Sequence, residues 1–127
     1  MAERDAVRTD KAPLPTGPFS QGVRAGQLIF TSGQAGRDRE TGKMGDAADQ
    51  TRWALRNIAA ILDAAGSSLD QVVKVTLYLK DGVDSAAVNA EYEKHFTEPR
   101  PARASVFVSR LKGPDMLVEI EAVALRG

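Results

Sequence analysis

Arg103 and Glu119 are the two residues of this sequence whose types and placement best suit a reaction on a small charged molecule. An arginine offers a planar fork that grips a carboxylate through two parallel hydrogen bonds. A glutamate held near it can take a proton from water and return it to a leaving group. Both sit in strand-forming stretches, Ala102 to Ser109 and Met116 to Leu125, separated by the turn residues Gly113-Pro114-Asp115. If those strands are neighbours, the two side chains converge. A structural ion pair at an interface uses the same two residues, and spacing alone does not separate the two readings.

Other routes to chemistry are closed or thin. There are no cysteines, which removes thiol nucleophiles, thiolate metal sites and disulfides together. His95 is the only histidine and sits among Glu93, Lys94 and Glu98, so it reads as solvated surface rather than a base, and no histidine cluster exists for a metal. A serine hydrolase is excluded, because neither a Gly-x-Ser-x-Gly elbow nor a second histidine is present. Gly33-Gln-Ala-Gly36 matches neither a dinucleotide fingerprint nor a phosphate loop, and tight turns explain its glycines. Asn89, taken alone, reads as a polar surface or capping residue, and Trp53 and Tyr78 as packing residues rather than a base-stacking platform.

The charge balance narrows the partners. Seventeen Lys+Arg stand against 17 Asp+Glu in 127 residues, and no long-range field gathers polyanions or anionic membrane. A small ligand remains open. The first residues, Met1 to Arg8, carry charges where a secretory signal needs an apolar run of about 7 to 15 residues, and no segment approaches about 18 uninterrupted apolar residues. The expectation is a cytoplasmic protein with no membrane partner. The length and the 43% hydrophobic content fit one domain with its own core.

The elements that must position Arg103 and Glu119 follow from periodicity. Residues 1–12 read as a flexible, polar arm, and Pro13, Pro15 and Pro18 lead it in extended form into a single domain over 13–127. Phe19 to Arg24 and Gln27 to Gly33 form a hairpin across Ala25-Gly26. From the Asp46 cap, Ala47, Thr51, Ala54, Leu55, Ile58, Ile61, Leu62 and Ala65 mark one helix face, which ends at Gly66. Val72 to Leu79 reads as a strand with Val73, Val75, Leu77 and Leu79 on one side. A second helix starts at Asp84 with Val88, Tyr92 and Phe96 on one stripe and ends before Pro99. The order is ββαβαββ, an α+β chain.

Alternation assigns faces to the last two strands. Ala102, Ala104, Val106 and Val108 share a wholly apolar side, as do Met116, Val118, Ile120, Ala122 and Ala124, and two helices can cover that side. Arg103, Ser105 and Phe107, with Glu119, Glu121, Val123 and Leu125, then fall on the other side, too apolar for water. Another copy of the chain is its natural cover, in a closed symmetric oligomer.

Several segments taken together look familiar: Gly17-Pro-Phe-Ser-Gln-Gly22, Ile29-Phe-Thr-Ser-Gly-Gln34, Gln50-Thr51 with Asn57, Val73-Lys-Val-Thr76, Val88-Asn89-x-x-Tyr92, Pro101-Ala-Arg103 and Val118-Glu-Ile-Glu-Ala122. In this order, from about Pro13 to Arg126, they resemble the Rid (YjgF/YER057c/UK114, reactive-intermediate deaminase) family. The resemblance implies a chorismate-mutase-like fold, a mixed sheet with two helices on one face, and a homotrimer with ligand clefts between subunits. It also implies hydrolysis of 2-imino acids and their enamine tautomers, such as 2-iminopropanoate and 2-iminobutanoate, to 2-oxo acids and ammonia without cofactor or metal.

Carried over by motif, Arg103 would clamp the substrate carboxylate and Glu119 would deprotonate the attacking water, with Ser32, Gly33 and Asn89 lining the cleft. Two positions depart from the family pattern. Phe19 stands where a tyrosine is usual, losing a hydroxyl from the substrate-binding wall, and Ser105 stands where a cysteine is usual. The alternatives are a ligand-binding regulatory trimer without catalysis and an RNA-directed role. The balanced charges argue against the latter, since an RNA binder shows a basic stripe with exposed aromatics.

Overall fold

A capping box starts the long helix. In a computed structural model describing residues 4–127, the Asp46 carboxylate accepts from the Asp49 N–H at 2.9 Å, and the Asp49 side chain accepts from the Asp46 N–H. The helix, α1, spans Ala47–Ala64 and ends at Gly66, whose φ of +83° is a left-handed geometry that favours glycine. The shorter α2, Ser85–Tyr92, is capped by Asp84, which accepts from the Ala86 N–H at 3.0 Å.

The strands are β1 (Arg4–Val7), β2 (Gly22–Ala25), β3 (Leu28–Thr31), β4 (Gln34–Ala35), β5 (Val72–Lys80), β6 (Ala102–Val108) and β7 (Val118–Leu125). They form one sheet in the order β1-β2-β3-β7-β5-β6, with β4 also paired to β7. Only β5 and β6, joined through α2, run parallel. The predicted hairpin is β2–β3, turning at Gly26 with φ +60°. Within the arm, Arg4–Val7 is a strand antiparallel to β2 rather than free chain, and Asp10–Lys11 make a turn. Met1 to Glu3, the first residues of that arm, lie outside the described residues.

Both helices lie on one face. Ala54, Leu55, Ile58, Ile61 and Leu62 of α1 and Val88 and Tyr92 of α2 pack with Ile29, Val75, Leu77, Val118, Ile120 and Ala124 to make the core. Alternation along β7 follows expectation, with Val118, Ile120, Ala122 and Ala124 buried. In β5 a register shift between Val72 and Lys74 moves the phase, so Val72 is buried and Val73 is 41% exposed, the reverse of the sequence reading.

The faces of β6 are also reversed. Cross-strand partners share a face, and Arg103, Ser105 and Phe107 pair with Val75, Leu77 and Leu79, which lie under the helices. Ala102, Ala104, Val106 and Val108 therefore lie on the open face. The apolar-side rule failed here because β6 is an edge strand, so its smooth alanine-valine side has no helix over it. Phe30, Val106 and Leu125 stay 43%, 46% and 42% exposed. No helix among the described residues is long and apolar enough to cross a membrane.

Candidate active site

The ladder beside β7 breaks in the middle, and the break makes the site. β3 pairs with the C-terminal half of β7 and β4 with its N-terminal half, leaving Ser32 and Gly33 as the joint between them. Thr31 bridges the gap by accepting the Ala122 N–H on its Oγ1 at 3.0 Å. Ser32 turns away, its N–H donating to Gln21 O at 2.9 Å and its Oγ to Ser20 O at 2.5 Å. Gly33 is then pressed onto Glu119: a Cβ there would lie 2.5 Å from Glu119 Oε2 and 2.9 Å from its Cδ. Only a glycine backbone admits the carboxylate so closely.

Glu119 is half-buried and, among the described residues, its carboxylate has neither a hydrogen-bond nor an ion-pair partner; the Glu121 carboxylate beside it accepts from the Tyr78 hydroxyl at 2.7 Å. Burial pushes the Glu119 carboxyl above its ordinary value, the Glu121 carboxylate adds to the rise, and Lys112 partly offsets it. A carboxylate raised in this way is more basic and readier to accept a proton from water.

Glu119 opens into a cleft of about 450 Å³ lined by Leu14, Phe19, Ser32, Gly33, Arg37, Lys112 and Met116 among others. Three buried amides hold its walls. Gln21 receives the Thr9 N–H at 2.7 Å and donates to Thr9 O and Pro13 O at 3.0 and 2.9 Å, tying the proline arm down over the cleft. Gln50 accepts from Leu117 N at 2.7 Å and donates to Gly45 O and Asp115 O at 2.9 and 3.0 Å. Asn57 donates to Ala35 O and Arg37 O at 3.4 and 3.3 Å.

Arg103 lies elsewhere. Its guanidinium carbon sits 4.8 Å from the centre of the Tyr92 ring, a cation–π contact, in a second, open cleft with Asn89, Glu93 and Arg100. Burial raises the Tyr92 hydroxyl against the opposing fields of Arg103 and Arg100, and its oxygen has no partner among the described residues. Because β5 separates β6 from β7, and Arg103 pairs through Val75 with Ala122, Arg103 and Glu119 are about 14 Å apart by strand spacing and on opposite faces. The expected convergence of the two within one chain is thereby overturned.

The predicted residues thus form two groups: Phe19, Ser32, Gly33 and Glu119 in one cleft, Asn89 and Arg103 in the other. Ser105 lies two residues along β6 from Arg103, exposed, on the same face. His95 is not the solvated residue expected, since its Nε2 lies 2.9 Å from Oε2 of the buried Glu91. Sequence reasoning missed Gln21, Gln50 and Asn57 as scaffolding, and Arg37, Lys112 and Met116 as lining. Gln50 and Asn57 did carry a signal, as amides seven residues apart on the apolar side of a helix.

A sheet with two helices on one face and a glycine-lined carboxylate cleft defines a class, and comparison with known proteins names it. Residues 9–126 match the family model described as Endoribonuclease L-PSP. A RutC family protein of Pyrococcus horikoshii is 50% identical over 125 residues, covering 97% of this chain and 98% of the relative. The 2-iminobutanoate/2-iminopropanoate deaminase of Escherichia coli K12 is 45% identical, covering 94% and 96%. The crystal structure of E. coli TdcF with bound serine superposes with a TM-score of 0.87 at 39% identity, covering 97% and 99%. The chain belongs to the Rid (YjgF/YER057c/UK114) family.

Proposed function

We propose that the protein is a cofactor-independent deaminase that hydrolyses 2-imino acids, such as 2-iminopropanoate and 2-iminobutanoate, to 2-oxo acids and ammonia. The observation that carries this reading is the half-buried Glu119 carboxylate, raised in basicity and without a partner among the described residues, against Gly33 in a cleft. The names of relatives such as the E. coli deaminase support the same substrate class.

The active assembly is a homotrimer of chorismate-mutase-like subunits. Two features support it: the apolar open face with Phe30, Val106 and Leu125 exposed, and the position of Arg103 at an edge strand away from Glu119 of its own chain. In a closed ring, the Asn89–Arg103 cleft of one copy faces the Phe19–Glu119 cleft of the next. Arg103 of the partner copy grips the substrate carboxylate with two charge-assisted hydrogen bonds. Ser32, Gly33, Phe19, Asn89 and Ser105 shape the pocket around it.

Glu119 then takes a proton from a water whose oxygen bonds to the carbon of the protonated imine, and the C=N π pair moves onto nitrogen to give a neutral carbinolamine. Glu119 returns its proton to that nitrogen, the C–N bond breaks with its electron pair leaving on ammonia, and the hydroxyl proton passes back to Glu119 and on to solvent as the C=O bond forms. One water enters, one ammonia leaves and no electrons are transferred. An iminium is already electrophilic, so positioning and one proton shuttle suffice.

The test is ammonia and 2-oxo acid release from freshly generated 2-iminopropanoate and 2-iminobutanoate. Wild type accelerates release, and Arg103→Ala abolishes the acceleration while the assembly is retained by size-exclusion chromatography. Absence of acceleration by assembled wild type refutes the reading.

A further inference from the structure

Arg37 and Lys112 line the Glu119 cleft, and neither touches the reacting atoms in imine hydrolysis as described above. Neither has an ion-pair partner among the described residues. Arg37 donates from Nη1 to Gly42 O at 2.8 Å, which orients the guanidinium, and its other N–H donors have no partner among the described residues.

Both cations are carried by backbone anchored to the same helix. Asn57 holds the carbonyls of Ala35 and Arg37, and the intervening Gly36 packs so tightly on the Gln50 backbone that a side chain has no room. Gln50 in turn holds the far end of the Lys112 loop through Asp115 O and Leu117 N. Gln50 and Asn57 are two helical turns apart, so one side of α1 holds both of the backbone segments that carry the two charges. The same cleft carries the apolar side chains of Leu14, Phe19 and Met116. Arg37 and Lys112 share this cleft of about 450 Å³ with Glu119, so they are the charged groups available to the far end of a substrate held there.

A substrate that uses this space has a short apolar spacer ending in an anion. We infer that the preferred substrates are 2-imino dicarboxylic acids, the imines of acidic amino acids, with the second carboxylate held by Arg37 and Lys112. The inference rests on the deaminase reading for the reaction, which is unchanged: one water adds and one ammonia leaves at the imine carbon. Ion pairing at a partly enclosed site discriminates by roughly tenfold or more against a neutral side chain.

The experiment compares kcat/KM for imines generated in situ from aspartate and glutamate with kcat/KM for 2-iminopropanoate. Wild type is measured beside Arg37→Ala, Lys112→Ala and the charge-preserving Arg37→Lys and Lys112→Arg. The readout is the diacid-to-monoacid ratio, because Lys112 also acts on Glu119 and its removal alters both rates. The ratio is expected to exceed one in wild type, to fall about tenfold in each alanine variant, and to persist in the charge-preserving pair. A wild-type ratio of one or less, or a ratio that survives both alanine changes, overturns the inference.

If no imine is hydrolysed faster than in buffer, the deaminase reading fails by itself. Calorimetric binding of 2-oxoglutarate and 2-oxobutanoate then decides the carboxylate site. Tighter binding of the diacid that is lost in Arg37→Ala supports it, and equal binding overturns it.

Discussion

Arg103 and Glu119 face opposite sides of one sheet, with β5 between their strands. A reaction that needs both must draw them from different copies. Arg103→Ala and Glu119→Gln are therefore each expected to be inactive alone, yet to regain activity when unfolded together and reassembled. Random mixing pairs an intact Glu119 with an intact Arg103 at about one-quarter of the interfaces. Ammonia release near that fraction of wild type, against none from either variant, is the expected result. No recovery in mixed assemblies would place both residues in one chain's site.

Gly33→Ala tests the closeness of the backbone to the carboxylate. Its φ is not positive, so an alanine brings no backbone strain, but the added methyl meets Glu119 Oε2 at 2.5 Å. The carboxylate must shift by a large fraction of an ångström. Displacement on this scale lowers turnover by about 100-fold, whereas a partly open site leaves the melting temperature nearly unchanged. Steady-state kinetics and thermal melting on the same preparation separate the two effects.

The parts of the fold that were legible were those fixed by local chemistry. The Asp46 cap, the Gly66 stop, the α1 stripe and the Gly26 hairpin all depend on residues a few positions apart. What failed depended on lateral neighbours. The face of Arg103 was misassigned because alternation defines two sides of a strand without saying which side meets a helix, and β6 is an edge strand. The phase of Val73 was lost to a register shift, which has no residue signature here. Within the candidate site, motif resemblance supplied the residues, but their division between two clefts is a property of strand order.

The pH profile should report Glu119. Its carboxyl is raised by burial first and by Glu121 second, so the ionised form needed for general base catalysis appears above the ordinary value of 4.5. The acid limb of kcat/KM accordingly lies above that value in wild type. Glu121→Gln removes a repelling charge and moves the limb to lower pH, while Lys112→Ala removes an attractive one and moves it higher. For stability the sign is opposite. A raised folded-state pKa gives a contribution present at low pH and lost as pH rises through it, so Glu119→Gln melts higher than wild type at pH 7. Coincident limbs in wild type and Glu121→Gln would remove Glu119 from the titration.

Gln50 links the cleft to the core and carries the most demanding prediction. Buried to 1% exposure, it satisfies the N–H groups of Leu117 and Val118 and the carbonyls of Gly45 and Asp115. Gln50→Leu keeps the volume and strands those groups, and is expected to lower stability by about 2–5 kcal/mol, measured by urea unfolding at matched protein concentration. Gln50→Glu retains the acceptor toward Leu117 but turns an oxygen toward two carbonyls. That carboxyl resists ionisation in the folded state, so its pKa rises above the unfolded value. The variant is therefore weakest at neutral pH and recovers relative to wild type as the pH falls toward 4, where a protonated oxygen donates again. A Gln50→Glu deficit independent of pH would mean that the loops, not the amide, set the geometry of the wall carrying Lys112.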